Sequence, residues 1–264
     1  MADVDAPAAA ATPRVPRSTA QRITAIRRWT PVLWSIRIER PANYAFQPGH
    51  YARLGLPVDA PAAAVWRPYS IVSSTTDREL EFLLVLIPGG AFTAQLAALR
   101  EGDSLLLEQA VFGFFLDTQL APGETLWMLA TGTGLGPYIS LLRTPGALDR
   151  YARVVLVHSV RQQAELAYRD EIEAPAATSN GRLTYLPIVT REPGTTALAG
   201  RIPQLIEEGA LQAHAGLPMA PAGSRVMVCG NPAFTTDMRA LLSARGFTPC
   251  RRGSPGTMLF EKYW

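Results

Sequence analysis

Cysteine and histidine are scarce in this sequence. Its two cysteines, Cys229 and Cys250, are too few for a disulfide framework or for the four thiolates of an iron–sulfur cluster. Its three histidines lie far apart along the chain, without the spacing of metal ligands. We therefore expect no metal site, and any redox chemistry has to come from an organic cofactor.

Long apolar runs are missing as well. No run reaches the roughly 18 residues that a membrane-spanning helix needs. Residues 1–18 lack the basic-then-apolar order of a secretory signal, and their alanine- and proline-rich composition predicts a disordered tail. These absences favour a cytoplasmic protein with no membrane partner.

The overall composition is that of a folded protein. The chain has 264 residues, of which 48% are hydrophobic and 18% charged, enough for a sizeable core in one large or two modest domains. Its net charge of +3 suits anionic small molecules or an acidic protein partner. No nucleic-acid-binding motif accompanies that charge, so nucleic acid is not an expected partner.

The pattern of apolar residues changes part-way along the chain. Residues 19–118 contain short strands separated by turns, with one helix at 93–100, which predicts an antiparallel β-barrel. Residues 119–264 alternate apolar strands with helices, which predicts a doubly wound parallel sheet. The strands of this second part are predicted at 125–130, 153–159, 182–190 and 225–230, and its helices near 165–173, 202–210 and 235–246.

A glycine-rich turn follows the first apolar strand of the second part. Gly132, Gly134 and Gly136 precede Pro137, a residue suited to the first position of a helix. Glycines let backbone amides approach a pyrophosphate, and a helix N-terminus favours negative charge. The spacing differs from the G-x-G-x-x-G fingerprint, and a tight turn without a ligand is the alternative. The strand-turn-helix context favours nucleotide binding.

Arginines follow the later strands where a carboxylate would be typical of an NAD site. Arg161 and Arg191 come directly after two of the strands, and Arg201 opens a helix. Together they could bind one dianion, such as the 2′-phosphate of NADP, although each alone is equally typical of a solvated surface. We therefore favour NADP over NAD.

Several short segments are weak signals alone but specific in combination. In this order they resemble the bacterial ferredoxin/flavodoxin–NADP reductases, over about residues 20–264, and most closely the subgroup whose chain ends in Tyr-Trp. The segments are RPYS (67–70), GGAFT (89–93), ATGTGLGP (130–137), VHSVR (157–161), VTRE (189–192), GRIP (200–203), CGNP (229–232) and EKYW (261–264).

The resemblance implies an FAD site in the barrel. Arg67 is then expected to bind the FAD pyrophosphate, Tyr69 to stack on the isoalloxazine, and Ser70 to hydrogen-bond near flavin N5. Tyr263 is expected to cover the flavin face that nicotinamide must reach, and Trp264 to lie toward the adenine. The other residues assigned to FAD are Pro68, Leu83, Leu84, Val85, Leu86, Ala91, Phe92, Thr93 and Thr133.

The resemblance likewise implies an NADP(H) site in the second part, with the three arginines on the 2′-phosphate. The residues assigned to it are Gly132, Gly134, Val160, Arg161, Thr190, Arg191, Arg201, Asn231, Pro232, Ala233 and Asp237. Ser70, Cys229, Glu261 and Tyr263 are expected around the contact between nicotinamide and flavin, as catalytic groups.

The activity implied is hydride exchange between NADPH and FAD N5, with single electrons passed to or from a small ferredoxin or flavodoxin. Such a protein is expected to work as a monomer, with Arg27 and Arg28 as candidates for contact with an acidic partner. Two alternatives remain at this point. One is the reductase subunit of a multicomponent oxygenase with its iron–sulfur module on a separate chain. The other is a nucleotide-binding regulator without turnover.

Overall fold

The computed structural model describes residues 17–57 and 64–262, and it begins with an antiparallel six-stranded sheet. The strands lie in the order β4-β3-β6-β1-β2-β5. An antiparallel bridge between Ile71 and Phe82 joins the ends of that order and closes the sheet into a barrel. The strands are β1 (Ser18–Arg28), β2 (Leu33–Glu39), β3 (Tyr51–Pro57), β4 (Ala64–Ser70), β5 (Glu79–Val85) and β6 (Ser104–Glu108).

Alternating side chains fill this barrel, and one helix covers it. Helix α1 (Ala91–Ala98) buries Phe92 and Leu96 against the barrel core. It begins two residues before the predicted start at 93, because Gly90 is its N-cap and Thr93 lies in its first turn. Burying a side chain such as Phe92 or Leu96 contributes about 1.5–3 kcal/mol, so these two contacts hold the helix on the barrel.

The second sheet has five parallel strands in the order β11-β10-β7-β8-β9. Apolar side chains cover both of its faces, as the continuous apolar runs predict. The strands are β7 (Thr125–Thr131), β8 (Arg153–Val160), β9 (Leu183–Val189), β10 (Ser224–Gly230) and β11 (Met258–Lys262). The helices are α2 (Gly136–Arg143), α3 (Arg169–Thr178), α4 (Ile202–Glu207), α5 (Ala210–Ala215) and α6 (Pro232–Ala244).

The predicted fold class, a barrel followed by a parallel α/β sheet, is confirmed, with differences in detail. Helix α3 begins at Arg169 rather than near 165, because Tyr168 takes the left-handed conformation with φ of +59°. The sequence did not predict α5 or β11, both of which are short. Among the described residues no helix is long and apolar enough to cross a membrane.

Two arginines hold the connection between the sheets. Arg225 donates to the carbonyl oxygens of Ala121 and Pro122, and Arg150 donates to those of Asp117 and Leu120. Each guanidinium satisfies backbone acceptors that would otherwise be partly buried without a donor. The segment between the sheets is therefore fixed at several points.

Candidate functional site

A cavity of about 440 Å³ lies where the barrel meets the parallel sheet. Most of its wall comes from the barrel part of the chain, and the second part contributes Thr133, in the turn after β7, and the end of β11. Its lining is mainly apolar and aromatic, with a few polar groups, as is typical of a cofactor site. The lining residues are Tyr51, Arg67, Pro68, Tyr69, Ser70, Leu83, Leu84, Val85, Ile87, Gly90, Phe92, Thr93, Gly113, Phe114, Phe115, Thr133, Phe260, Glu261 and Lys262.

The end of β4 brings Arg67, Tyr69 and Ser70 to this cavity. Tyr69 is half-buried, with its ring centroid 5.7 Å from that of Phe92 in α1. Burial raises the pKa of the Tyr69 hydroxyl to about 12, against the opposing effect of Arg67. The ring is therefore neutral at physiological pH. Arg67 is exposed, and its Nη1 donates to the Trp66 carbonyl oxygen at 2.8 Å, so its charge is available at the cavity mouth.

Helix α1 presents its N-terminus at another part of the wall. The first hydrogen bond of the helix runs from Ala94 N to the Gly90 carbonyl oxygen, so the preceding amides of its first turn have no intrahelical acceptor. The Thr93 hydroxyl donates to the carbonyl oxygens of Ile87 (2.7 Å) and Gly90 (3.2 Å) and shapes this turn. Amides and the helix dipole together suit a pyrophosphate.

The glycine-rich turn lies between β7 and α2 and contacts both sheets. A Cβ at Gly134 would overlap the backbone carbonyl of Cys229 in β10, so this position requires glycine for packing. Gly136 lies against Ser70 and Val72, where a Cβ would be 3.4 Å from Val72 Cγ2 and 3.6 Å from Ser70 Cβ. The turn therefore places Thr133 at the cavity by packing the start of α2 onto the barrel.

Cys229 and Glu261 lie side by side in register on β10 and β11. Cys229, predicted as a catalytic group, is completely buried and does not line the cavity. Glu261 does line it, and its Oε2 atom is buried with no hydrogen-bond partner among the described residues. Burial raises the pKa of the Glu261 carboxyl to about 8. This carboxyl is therefore largely protonated at neutral pH.

Two of the predicted 2′-phosphate arginines, Arg161 and Arg191, lie at the carboxyl ends of β8 and β9. Arg191 N donates to the Arg161 carbonyl oxygen at 2.9 Å, which continues the pairing of β8 and β9 and holds the backbones of the two arginines together. Arg201 is the N-cap residue of α4. All three side chains are exposed. This edge is where open α/β sheets bind their ligands.

The start of α6 adds polar and exposed positions at the same edge of the sheet. Asn231 caps the helix, its Oδ1 accepting from Phe234 N at 2.9 Å, and Pro232 occupies the first turn. Ala233 and Asp237 are exposed on the first two turns. Capping the helix is a structural role for Asn231, whereas Ala233 and Asp237 are accessible to a ligand.

Comparison with known proteins agrees with this geometry. The family model described as oxidoreductase NAD-binding domain matches residues 128–240. The flavodoxin/ferredoxin–NADP reductase of Escherichia coli (strain K12) is 40% identical over 244 residues, covering 92% of this chain and 97% of that protein. The ferredoxin–NADP reductase of Pseudomonas aeruginosa is 35% identical over 252 residues, covering 92% of this chain and 96% of that protein.

A solved structure agrees over nearly the whole chain. The ferredoxin–NADP reductase from Neisseria gonorrhoeae, with bound FAD and NADP, has a TM-score of 0.89 at 31% identity, covering 95% of this chain and 100% of that chain. This chain belongs to the ferredoxin/flavodoxin–NADP reductases. The resemblance read from the sequence is thereby confirmed at the level of the family.

Not every residue predicted for FAD in this reductase lies at the cavity. Leu86 packs against the barrel core and Ala91 is exposed at the start of α1, and neither lines the cavity. Tyr263 and Trp264 lie outside the described residues, so their roles and the Tyr-Trp subgroup stay predictions. The other predicted FAD residues, which do line it, are Arg67, Pro68, Tyr69, Ser70, Leu83, Leu84, Val85, Phe92, Thr93 and Thr133.

Sequence reasoning missed several wall residues. Phe114 and Phe115 follow β6, and Tyr51 opens β3, where its ring stacks on Phe112 at 5.6 Å between centroids. The run of aromatics at 112–115 was the available signal, but aromatic residues in a barrel are more often core. Ile87 and Gly113 are further wall residues that the sequence did not single out. Gly90 and Lys262 lie in the GGAFT and EKYW segments and Phe260 directly precedes the latter, but no FAD role was assigned to these three.

Proposed function

We propose that this protein is an FAD-dependent reductase that exchanges hydride with NADPH and single electrons with a ferredoxin or flavodoxin. The main support for this function is the cavity at the junction of the two sheets, where a barrel wall suited to a flat ring meets the glycine-rich turn. We propose that the barrel, residues 19–118, holds FAD and that residues 119–264 hold NADP(H). Membership of the reductase family supports both assignments.

The residues present fit FAD in their chemistry. An apolar slot between Tyr69 and the β5 wall suits an isoalloxazine ring, and the α1 amides with Arg67 suit its pyrophosphate. The buried Glu261 Oε2, without a partner among the described residues, is a polar atom that a bound ligand could satisfy. Bound flavin supplies the conversion between two-electron and one-electron transfer.

The side chains have distinct tasks in this proposal. Tyr69 holds the ring plane, Ser70 donates or accepts a hydrogen bond at its edge, and Thr133 brings the nicotinamide half close to it. Glu261, largely protonated, holds a proton at the cavity wall without adding a negative charge that would oppose NADPH. Cys229 acts through packing, because its side chain is completely buried and does not line the cavity. Tyr263 is assigned to the face that nicotinamide enters.

The NADP preference rests on the strand-end arginines. Arg161 and Arg191 are adjacent through their backbones, and Arg201 begins the next helix. Three exposed guanidinium groups at one sheet edge provide forked donors that match a phosphate dianion. Val160 ends β8 and Thr190 directly follows β9, and the same edge of the sheet includes Asn231, Pro232, Ala233 and Asp237.

The electron partner is proposed to dock beside the cavity mouth. The exposed large apolar side chains among the described residues are Val32, Val85 and Ile87, and Leu86 N donates to the Val32 carbonyl oxygen at 2.7 Å, which draws these segments together. Arg27 and Arg28 end the neighbouring β1. An apolar patch flanked by arginines suits a small acidic redox protein. We also propose that the enzyme works as a monomer in the cytoplasm.

NADPH-dependent reduction of purified ferredoxin and flavodoxin tests the function and the docking face together. Arg28→Glu is expected to raise the KM for the protein acceptor about tenfold while ferricyanide reduction keeps its rate. Arg78→Glu, an exposed arginine at the far end of β5, is the matched control and leaves both unchanged. Equal effects of the two substitutions on the KM for the protein acceptor would contradict the proposed docking face. Failure to reduce either protein would remove the proposed activity.

A further inference from the structure

A buried charge cluster joins the two sheets at the end of α2 that is farther from the glycine-rich turn. Glu81, in β5 of the barrel, is only 4% exposed. Its carboxylate meets Arg143, the last residue of α2, and Tyr168, the residue before α3. We call Glu81, Arg143 and Tyr168 the α2 clamp.

The clamp has complete hydrogen-bond geometry. Tyr168 donates its hydroxyl to Glu81 Oε1 at 2.7 Å, and Arg143 donates Nη1 to Glu81 Oε2 at 2.8 Å. Arg37 adds a longer contact from Nε to Oε2 at 3.3 Å. The other side of the Arg143 guanidinium forms two bonds to Glu171, at 2.5 and 2.9 Å. Each buried charge is therefore paired across or beside the junction.

The clamp holds its charges in the folded protein. Burial by itself raises the pKa of the Glu81 carboxyl, but the charge of Arg143 and the bonds from Tyr168 and Arg143 outweigh it, so this pKa lies below its usual value. Replacing such a pair by apolar residues is often neutral for stability, so stability alone gives little reason for it. Because moving the two elements apart would leave an uncompensated buried charge, the pair opposes any other placement of β5 relative to the end of α2.

Helix α2 transmits that placement to the cavity. At its other end Gly136 lies against Ser70 and Val72, and between the ends Ser140 donates its hydroxyl to the Ser73 carbonyl oxygen at 2.7 Å. The helix is thus fixed along the chain segment that continues from β4. The turn that carries Thr133 immediately precedes α2, so a tilt of the helix at the clamp displaces Thr133 at the cavity wall.

We propose that Glu81, Arg143 and Tyr168 are positioning residues that set the angle of α2 on the barrel and thereby the approach of the nicotinamide half to the flavin. The inference rests on the proposed function and adds to it a determinant outside the cavity wall. None of the three residues lines the cavity, so they act through the helix rather than by contact with cofactor.

Three variants of the FAD-loaded enzyme test the clamp. Glu81→Gln and Arg143→Met each remove one charge, and Tyr168→Phe removes only a hydroxyl and keeps the ring. Glu39→Gln is the matched control, because its exposed pair with Arg22 lies within the barrel. Hydride transfer at saturating NADPH is expected to fall about 10- to 100-fold in the two charge variants, since displacement by about 1 Å has such effects. The FAD and NADP⁺ dissociation constants stay within about threefold of wild type.

Hydrogen exchange provides a readout that does not depend on turnover. Amides of α2 are expected to exchange faster in the clamp variants than in wild type, while those of β1 are unchanged. Faster exchange with an unchanged hydride rate would make the clamp merely structural and overturn the proposal. A rate loss that follows FAD loss overturns it too.

If the charge variants do not fold, Tyr168→Phe provides the test. Its hydride-transfer rate is expected to fall, by less than in the charge variants, and an unchanged rate would contradict the proposal. If wild-type enzyme is not reduced by NADPH, the proposed function fails on its own evidence. Unchanged α2 exchange in the variants then overturns the clamp separately.

Discussion

The Nε2 atom of His158 lies 3.0 Å from the carbonyl oxygen of Gly132. His158 is buried in β8, and burial lowers the pKa of its imidazole to about 4, so the ring is neutral at physiological pH. Because a carbonyl only accepts, Nε2 carries the hydrogen, and Nδ1 is left buried without a partner among the described residues. Gly132 has φ of +53°, a conformation that glycine tolerates. A neutral histidine thus tethers the first residue of the glycine-rich turn.

His158→Leu is expected to raise the KM for NADPH about two- to tenfold, the equivalent of losing one hydrogen bond of 0.5–1.5 kcal/mol. Stability should change by less than about 1 kcal/mol, because leucine also removes the unsatisfied Nδ1. His158→Gln keeps a donor and should retain most of the wild-type KM. Steady-state kinetics and urea unfolding measure both quantities. His214→Leu, at an exposed histidine, is the control. A KM effect equal to that of His158→Leu would contradict the role of His158 in holding the glycine-rich turn.

Tyr69→Ala is expected to weaken FAD binding about 10- to 100-fold, because it removes an aromatic face worth some 1.5–3 kcal/mol. Tyr69→Phe keeps the face and should bind FAD almost normally. The ratio of FAD to protein after gel filtration measures this directly. A full complement of FAD in Tyr69→Ala would show that the ring does not hold the flavin.

Arg161→Ala and Arg191→Ala are each expected to raise the KM for NADPH about 10- to 100-fold, the equivalent of a charged hydrogen bond of about 1.5–3 kcal/mol. The KM for NADH, which lacks the 2′-phosphate, should stay the same and serves as the internal control. Parallel losses with both nucleotides would place these arginines outside the 2′-phosphate site.

Glu261 makes the stability of the FAD-free protein depend on pH. Its folded pKa of about 8 exceeds the ordinary value of 4.5, so the folded state favours the protonated carboxyl. The contribution of this carboxyl to the free energy of unfolding is therefore fully present below pH 4.5. It is lost as the pH rises from there through 8, because the unfolded chain has already released the proton that the folded state retains. Urea unfolding of wild type and Glu261→Gln at several pH values isolates this contribution as their difference. A difference that does not vary between pH 5 and 9 contradicts the burial of this carboxyl.

The two-part fold was predictable because each part has its own local pattern. Alternating short strands differ from continuous apolar runs such as 153–159, and each pattern follows from which faces are buried. Boundaries were less predictable where a single residue sets them. The left-handed backbone conformation of Tyr168 makes α3 begin only at Arg169, and no local sequence pattern predicts that conformation.

The site was predictable only where its residues are neighbours in sequence. Arg67, Tyr69 and Ser70 form one short segment, whereas the partners of Glu81 come 62 and 87 residues later. The register that places Cys229 beside Glu261 is equally long-range. Contacts of this kind depend on how the strands and sheets pack together, so the clamp and the pairing of Cys229 with Glu261 required the structure.

Anaerobic rapid mixing of the FAD-loaded enzyme with NADPH or NADH tests the central claim most directly. We predict that the visible flavin absorption bleaches quickly with NADPH and poorly with NADH. A protein that binds no FAD, or a bound flavin that NADPH does not reduce, would contradict the reductase assignment. Equal rates with both nucleotides would contradict the arginine site for the 2′-phosphate.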